Sequence, residues 1–221
     1  MLRIHKEGTA TLLVIFFVIA ALNILLSVVF IIPGWASAAL VIVSVAFFLF
    51  ILSFFRNPKR VTKAREGEVV APADGKVVTI ETNMQEKRFL NAPATRVGIF
   101  MSPLNVHVNR VPTSGMVEAV RYQAGQFRPA FATDAADVNE QNAVSLMDAQ
   151  GRRVVFVQIA GILARRIICH LRGGERVTQG DRYGVIMLGS RVDVYCPPEV
   201  QVKVQVGQVV RAGETVIAEY P

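Results

Sequence analysis

The strongest constraint on this chain is a long run without charge near its N-terminus. Positions 8–55 contain no Asp, Glu, Lys or Arg. Such a run is too long for one core helix and suffices for two membrane spans of about 20 residues each. We expect spans at about Thr11–Ile32 and Trp35–Phe55, separated by the turn residues Pro33 and Gly34. A cleaved signal peptide fits less well, because its apolar region has only about 7–15 residues. A single long span or a re-entrant anchor is left as an alternative.

Basic residues flank both ends of this run and are absent from its turn. They are Arg3 and Lys6 before it, and Arg56, Lys59, Arg60, Lys63 and Arg65 after it. The positive-inside rule then predicts that both ends, and everything after the anchor, lie on the cytoplasmic face of the cell (inner) membrane. The net charge of +7 is concentrated in this cluster, which favours contact with anionic lipid. Aromatic and basic residues do not alternate as on a nucleic-acid surface, so we expect no nucleic-acid partner.

We assign residues 1–60 to the anchor and residues 61–221 to one domain, which is long enough for a single core. Short apolar runs separated by Gly, Pro and Asn predict a mainly β domain. The predicted strands are Lys76–Glu81, Arg96–Met101, Val106–Val111, Gly115–Tyr122, Arg153–Ile159, Ala164–Leu171, Gly184–Leu188, Val192–Tyr195 and Val200–Val206. A short helix is allowed within Thr133–Asn142.

One segment of the domain occurs twice. Residues 174–181 and 207–214 both read Gly-x-x-Val-x-x-Gly-acid, at an offset of 33 residues. Glycine adopts positive φ at no steric cost, so each copy predicts a tight turn that leads into a strand. Such segments are typical of barrel-sandwich, biotinyl/lipoyl-like folds, and two copies predict two quasi-symmetric halves. Chance similarity is the alternative.

Three motifs follow the anchor in a fixed order. They are Ala71-Pro72-Ala73-Asp74-Gly75, Pro103-Leu104-Asn105-Val106-His107-Val108-Asn109-Arg110 and Gly189-Ser190-Arg191. Each alone has a plain structural explanation as a turn or a strand. Together, and behind a membrane hairpin, they resemble the short form of the phosphatidylserine decarboxylase proenzymes. The resemblance extends from about Phe54 to the C-terminus.

The resemblance implies a chain that cuts itself between Gly189 and Ser190 and converts Ser190 into a covalent pyruvoyl cofactor. Its ketone would bond to the amine of a serine phospholipid and accept the electrons left when CO₂ departs. The product would be the ethanolamine phospholipid. The two chains would remain associated, and a homo-oligomer is compatible with the sequence.

The resemblance also implies roles for His107 and Asp74. In a strand, His107 and Asn109 share one face while Val106 and Val108 take the other, which suggests the wall of a pocket. The matching histidine of the family acts in decarboxylation, where a general acid must protonate a carbanion. The matching aspartate assists self-cleavage. Arg191, Asn109 and Glu140 are candidate substrate-binding residues, although Arg191 could instead pair with Asp193 and Glu140 could be a solvated loop residue.

The chain departs from longer members of this family at three positions. Arg110 stands where they have the histidine that serves as base for self-cleavage, Asn105 replaces an aspartate, and Arg191 replaces a threonine. The base that activates Ser190 is therefore open. His107 with Asp74 is the simplest assignment, and His170 is the alternative.

Other site classes have less support. A zinc peptidase needs a His-x-His pair, but the strand reads His107-Val108-Asn109, so we expect no metal site. Cys169 and Cys196 form no CxxC pair and suggest reduced thiols. The competing function is a membrane-tethered binding or adaptor module without chemistry. A carrier module would need a lysine at a hairpin tip, whereas Lys203 lies within a predicted strand.

Overall fold

The computed structural model describes residue 4 and residues 6–29, 32–132, 134–162, 167–186 and 189–221. The chain divides into two compact units, Met1–Pro58 and Lys59–Pro221. Sequence reasoning put the domain boundary two residues later, after residue 60.

The first unit is a pair of apolar helices, α1 (Lys6–Val29) and α2 (Gly34–Phe54). Both are long and apolar enough to cross a membrane, with mean hydropathies of 3.0 and 2.6. Two pairs of polar side chains meet between the helices: Asn23 Nδ2 donates to Ser44 Oγ over 2.9 Å, and the hydroxyls of Ser27 and Ser37 lie 3.3 Å apart. The predicted pair of apolar helices is confirmed, although residues 30–31 of the first predicted span lie outside the described residues.

The second unit is almost entirely β. Its strands are β1 (Glu68–Val70), β2 (Gly75–Glu86), β3 (Ala92–Met101), β4 (Val108–Arg110), β5 (Gly115–Gln123), β6 (Gln141–Met147), β7 (Arg153–Ile159), β8 (Ile167–Cys169), β9 (Arg176–Val177), β10 (Arg182–Ile186), β11 (Ser190–Cys196), β12 (Gln201–Val202), β13 (Val209–Val210) and β14 (Val216–Glu219), with one short helix, α3 (Ala135–Val138), before β6. An eight-stranded sheet has the order β13-β2-β3-β11-β7-β6-β5-β9, and two three-stranded sheets have the orders β1-β14-β12 and β4-β10-β8.

The predicted mainly β class is confirmed, and β7 has the predicted bounds. Two predicted strands are shorter than expected, since β4 begins at Val108 and β12 ends at Val202. Residues 164–166 and 187–188, which belong to two other predicted strands, lie outside the described residues, as does residue 133 of the predicted helix. The strand β6 was not predicted, and it occupies part of the region considered for a helix.

The two copies of the repeat form equivalent turns at opposite edges of the large sheet. All four repeated glycines, Gly174, Gly180, Gly207 and Gly213, have positive φ. Gly174 N donates to Val117 O and Gly207 N donates to Val77 O, at 2.7 and 2.8 Å. The acceptors Val77 and Val117 are 40 residues apart, whereas the two glycines are 33 residues apart. The segments around Val77 and Val117 therefore form a second repeat, which pairs with the glycine repeat in each half. The predicted quasi-symmetric halves are therefore present.

Strand β11 lies in the middle of the large sheet, between β3 and β7, and all seven of its residues are buried. Side chains alternate between the two faces of a strand. Val192, Val194 and Cys196 belong to the main core, whereas Tyr195 packs in a second cluster on the other face. By this alternation Ser190 faces the main core.

Candidate active site

Gly189 and Ser190 lie at a sharp change of backbone direction. Gly189 has φ +65°, in the left-handed region that side chains disfavour, and Ser190 is the first residue of β11. Ser190 is fully buried, and its hydroxyl has no hydrogen-bond partner among the described residues. A buried hydroxyl without a partner costs free energy. Such a feature is typical of a functional position.

The carbonyl group before Ser190 lies against Gly161. An ideal Cβ at residue 161 would be only 1.9 Å from Gly189 O and 3.1 Å from Gly189 C. Real Cβ atoms do not approach an oxygen this closely, so the absence of a side chain at residue 161 is what admits the carbonyl. Sequence reasoning missed Gly161, because nothing near it in the sequence indicates a partner 28 positions away.

A cluster of buried amides lies over the start of β11. Asn109 Oδ1 accepts from Gln158 Nε2 over 2.9 Å, and Asn109 Nδ2 lies 3.5 Å from Met101 Sδ. Met101 is the register partner of Ser190 on β3, and Gln158 is the partner of Val192 on β7. Since Asn109 contacts residues on both strands that flank β11, its side chain lies above the strand between them. Asn109 thus lies near Ser190, and its substrate-binding role stays a prediction.

His107 immediately precedes β4 and is 1% exposed. Its carbonyl accepts a hydrogen bond from Ile186 N over 3.3 Å. Ile186 lies three residues before Gly189, so this bond places His107 close to the segment that leads to the scissile bond. Val106 and Val108 pack together with Val185 in a small apolar cluster. The predicted alternation therefore holds, with the valines on one side. His107 lies two positions before Asn109.

Asp74 is held by a salt bridge that sequence reasoning did not predict. Arg60 Nη1 donates to Asp74 Oδ1, and Arg60 Nη2 donates to Asp74 Oδ2 over 2.7 Å. The amide of Ala212 also donates to Asp74 Oδ1 over 2.8 Å. Burial alone would lower the pKa of Arg60, but the hydrogen bond and charge of Asp74 outweigh it and raise the pKa. The expectation that Arg60 belongs to the lipid-facing basic cluster is wrong, because its side chain is 8% exposed and pairs with Asp74.

Comparison of the two quasi-symmetric halves shows that a carboxylate at the position of Asp74 is present in only one of them. In the other half, Ser114 takes the place of Asp74, and its Oγ accepts from Gln179 N over 2.9 Å. Gln179 and Ala212 are equivalent residues of the two repeat copies, 33 positions apart. A serine is enough to close the turn, so the carboxylate at Asp74 and its arginine exceed what the fold requires.

The sheet places Asp74 at the same end as Ser190. Gly75 lies against Phe100, since a Cβ at residue 75 would be 2.1 Å from Phe100 O. Phe100 in turn pairs with Arg191 on β11. One strand, β3, therefore separates Asp74 from Ser190, and no hydrogen bond between them occurs among the described residues.

Arg191 forms the ion pair that the sequence allowed. Its Nε donates to Asp193 Oδ1 over 2.5 Å, and both residues are fully buried. Asp193 also lies 3.9 Å from Arg96 Nη1. A Cβ at Gly98 would lie 2.5 Å from Arg191 Nη2, so this glycine makes room for the guanidinium. The pair lies on the face of β11 opposite Ser190, and a substrate-binding role for Arg191 stays a prediction.

Glu140 connects to the site through its backbone. Its amide donates to Gln126 O, and its carbonyl accepts from Ala160 N, both at 2.9 Å. Ala160 precedes Gly161, so this segment supports the loop that contacts the Gly189 carbonyl. Glu140 is half-buried rather than a fully solvated loop residue.

Two further residues bear on the self-cleavage base: Arg110, which stands where longer members have a histidine, and His170, the alternative candidate. Arg110 is buried and donates to Gly180 O over 2.7 Å. Burial, followed by the charges of Arg182 and Arg60, lowers its pKa to about 10. Arg110 therefore stays protonated at neutral pH and cannot take a proton from Ser190. His170 is exposed and follows Cys169, the last residue of β8. The other end of β8, Ile167, is the one that pairs with Ile186 near Gly189.

Both cysteines are free thiols. Burial raises the pKa of Cys196 to about 12, so this thiol is neutral and inert. Within the described part of the chain, no group of three or more His, Cys, Asp and Glu side chains could hold a metal ion.

Comparison with known proteins points to one family. Residues 47–218 match the family described as phosphatidylserine decarboxylase. The chain is 41% identical over 213 residues to the phosphatidylserine decarboxylase proenzyme of Pelodictyon phaeoclathratiforme, which covers 96% of this chain and 98% of that one. It is 50% identical over 167 residues to the proenzyme of the same name from Nocardia farcinica, and the match covers 75% of this chain and 70% of that one. A third such proenzyme, from Cytophaga hutchinsonii, is 37% identical over 219 residues, covering 99% of each chain.

Proposed function

The chain belongs to the phosphatidylserine decarboxylase proenzyme family, and we propose that it cuts itself and then converts phosphatidylserine, or a related serine phospholipid, into the ethanolamine phospholipid and CO₂. The observation that carries this proposal is the buried Ser190 hydroxyl, without a hydrogen-bond partner among the described residues, next to a Gly189 in the left-handed region. A non-catalytic adaptor would have no need for either feature.

Self-cleavage begins at the Gly189 carbonyl. Ser190 Oγ attacks the carbonyl carbon, the Gly189–Ser190 amide bond breaks, and an ester forms with a free amine on Ser190. Loss of the Ser190 Cα proton and of the Gly189 carboxylate then releases the upstream chain and leaves dehydroalanine. Water replaces the nitrogen as ammonia and leaves a ketone. The contact between Gly161 and Gly189 O supports this path, because it fixes the group that Ser190 attacks.

The surroundings of Ser190 fit a pyruvoyl group. The position is buried, Asn109 supplies a polar side chain above it, and the lack of a side chain at Gly161 admits the Gly189 carbonyl. When present, this group would supply a ketone that can bond to the substrate amine and an electron sink for the loss of CO₂. The chain's own residues supply the rest: burial excludes water, and Asn109 can hold a polar group of the substrate.

His107 is the residue that we assign to proton transfer in turnover. We expect His107→Ala to lower decarboxylation by about tenfold or more in protein that is already cleaved, because a general acid contributes about 10²–10⁴-fold. Release of CO₂ per cleaved molecule, with both chains quantified on a gel, measures this effect. Normal cleavage and normal turnover by His107→Ala would remove His107 from the mechanism.

Asp74→Asn is the matching variant for maturation. It keeps the shape of the side chain but weakens the bidentate pair with Arg60, so uncut chain should accumulate while the cleaved fraction turns over substrate. If His107→Ala fails to cleave at all, His107 also acts as the base that longer members provide with a histidine at the position of Arg110. Equal effects of both variants on cleavage and turnover would contradict the division of roles.

The cleaved chains are expected to stay together. Cleavage leaves residues 190–221 as a separate chain that contains β11 to β14. Strand β11 pairs with β3 and β7 on either side, and β14 pairs with β1. Strand pairing in the middle of a sheet, with both faces buried, holds the short chain without a covalent bond.

We assign both termini to the cytoplasmic face of the cell (inner) membrane, on the basis of the basic residues that flank the apolar helices. Cysteines placed at Ser37 and at Lys63, each compared with the unchanged chain, should distinguish the two sides. An impermeant thiol reagent on intact cells should label the cysteine at residue 37 and not that at residue 63. The reverse labelling pattern would contradict the proposed topology.

A further inference from the structure

Three loops around the Gly189–Ser190 bond each present an exposed apolar side chain. These are Leu104, Phe131 and Ile162, which are 68%, 63% and 53% exposed. Single exposed apolar residues are common on any protein. The grouping of three of them on separate loops around one buried site is what requires an explanation.

Each loop lies close to a residue that pairs with or contacts residues 189–191. Leu104 lies in the turn just after Met101, the register partner of Ser190. This turn is closed by Ser102 N, which donates to Asn105 Oδ1 over 2.8 Å. The turn therefore holds Leu104 at the edge of the site rather than on a loose segment.

The other two loops approach the site from different elements. The ring of Phe131 packs edge-on against Phe100 at 5.7 Å, and Phe100 pairs with Arg191. Ile162 follows Gly161, which contacts the Gly189 carbonyl oxygen. Lys76 on β2 pairs with Phe100 on β3. It is exposed and has no ion-pair partner among the described residues.

We propose that Leu104, Phe131 and Ile162 form a docking surface that inserts into the lipid bilayer around the entrance to the active site. The proposal rests on the function proposed above, because Ser190 and His107 are buried and a lipid headgroup must reach them from the membrane. The apolar helices α1 and α2 keep the rest of the chain beside a bilayer. Lys76 adds a positive charge that suits anionic lipid. Apolar loop tips with a basic residue nearby are suited to the interface of a bilayer.

Substitution in the full chain separates docking from chemistry. Phe131→Asp combined with Ile162→Asp should leave self-cleavage intact. It should lower decarboxylation of long-chain phosphatidylserine in vesicles by about tenfold, because interfacial binding scales with buried apolar area. Decarboxylation of a short-chain, water-soluble phosphatidylserine should be unchanged. Met116→Asp is the matched control, since Met116 is 44% exposed but lies on β5, three strands from β11.

A direct measurement of depth needs no activity. In a Trp35→Phe background, Ile162→Trp fluorescence should be quenched by phospholipids brominated on their acyl chains, and Met116→Trp fluorescence should not. Equal quenching of the two probes, or equal loss on both substrates in the double variant, would overturn the docking surface. A smaller sedimenting species for the double variant would also overturn it, by showing that a second copy of the chain covers the patch. Failure of the natural chain to process the soluble lipid would instead contradict the proposed function.

Discussion

Ser190→Ala should remain a single chain and should release no CO₂ from phosphatidylserine. Alanine lacks the hydroxyl that attacks the Gly189 carbonyl, so neither the ester nor the ketone can form. The loss should be complete rather than partial, because the same residue supplies both the nucleophile for maturation and the cofactor for turnover. A denaturing gel and a CO₂ assay on the same preparation measure both effects.

Ser145→Ala is the matched control for this variant. Ser145 is also a buried strand serine, 1% exposed, but its hydroxyl donates to Glu118 Oε2 over 2.7 Å and it lies on β6. We expect the Ser145→Ala chain to cleave and to be active, even if it is less stable. An active Ser190→Ala protein, cut or uncut, would refute the role of Ser190.

Gly161→Ala should slow self-cleavage by about 10²-fold, the cost of a displacement of about 1 Å at a reacting group. The added Cβ would lie 1.9 Å from Gly189 O, so the carbonyl must move away from the Ser190 hydroxyl. The rate at which the two chains appear after synthesis measures the effect. Hydroxylamine, which cleaves esters, should release no additional upstream chain, because the variant is blocked before the ester forms.

Gly115→Ala tests whether crowding alone explains that result. Its Cβ would lie 2.3 Å from Met147 O, a similar clash, but on β5 at the far side of the sheet. This variant should lose stability and still cleave whenever it is folded. If both glycine variants slow cleavage equally, Gly161 has no specific role at the scissile bond.

The sequence predicted those features that depend on local pattern. The uncharged run predicted two apolar helices, and the repeated Gly-x-x-Val-x-x-Gly segments predicted equivalent turns with positive φ. Strand β7, which has six consecutive buried residues, was predicted with its observed bounds. In each case the residues that determine the structure are neighbours in the sequence.

Features that depend on distant partners could not be predicted. Strand β6 begins with Gln141 and Asn142, which suggest a loop, but both are buried because they hydrogen-bond to Arg88 and Gln158. Arg60 is one of five basic residues that follow the apolar run, and nothing local distinguishes it. Its role depends on Asp74 and on the carbonyl of Ala212, which is 152 positions away.

The mass of the natural chain under denaturing conditions tests the central claim most directly. We predict two species, one ending at Gly189 and one comprising residues 190–221. The shorter chain should be lighter than a chain beginning with serine by the mass of one ammonia, because the N-terminal amine is replaced by a ketone oxygen while the hydroxyl is lost. A preparation that decarboxylates phosphatidylserine but contains only the uncut chain, or a cut at another bond, would contradict the account.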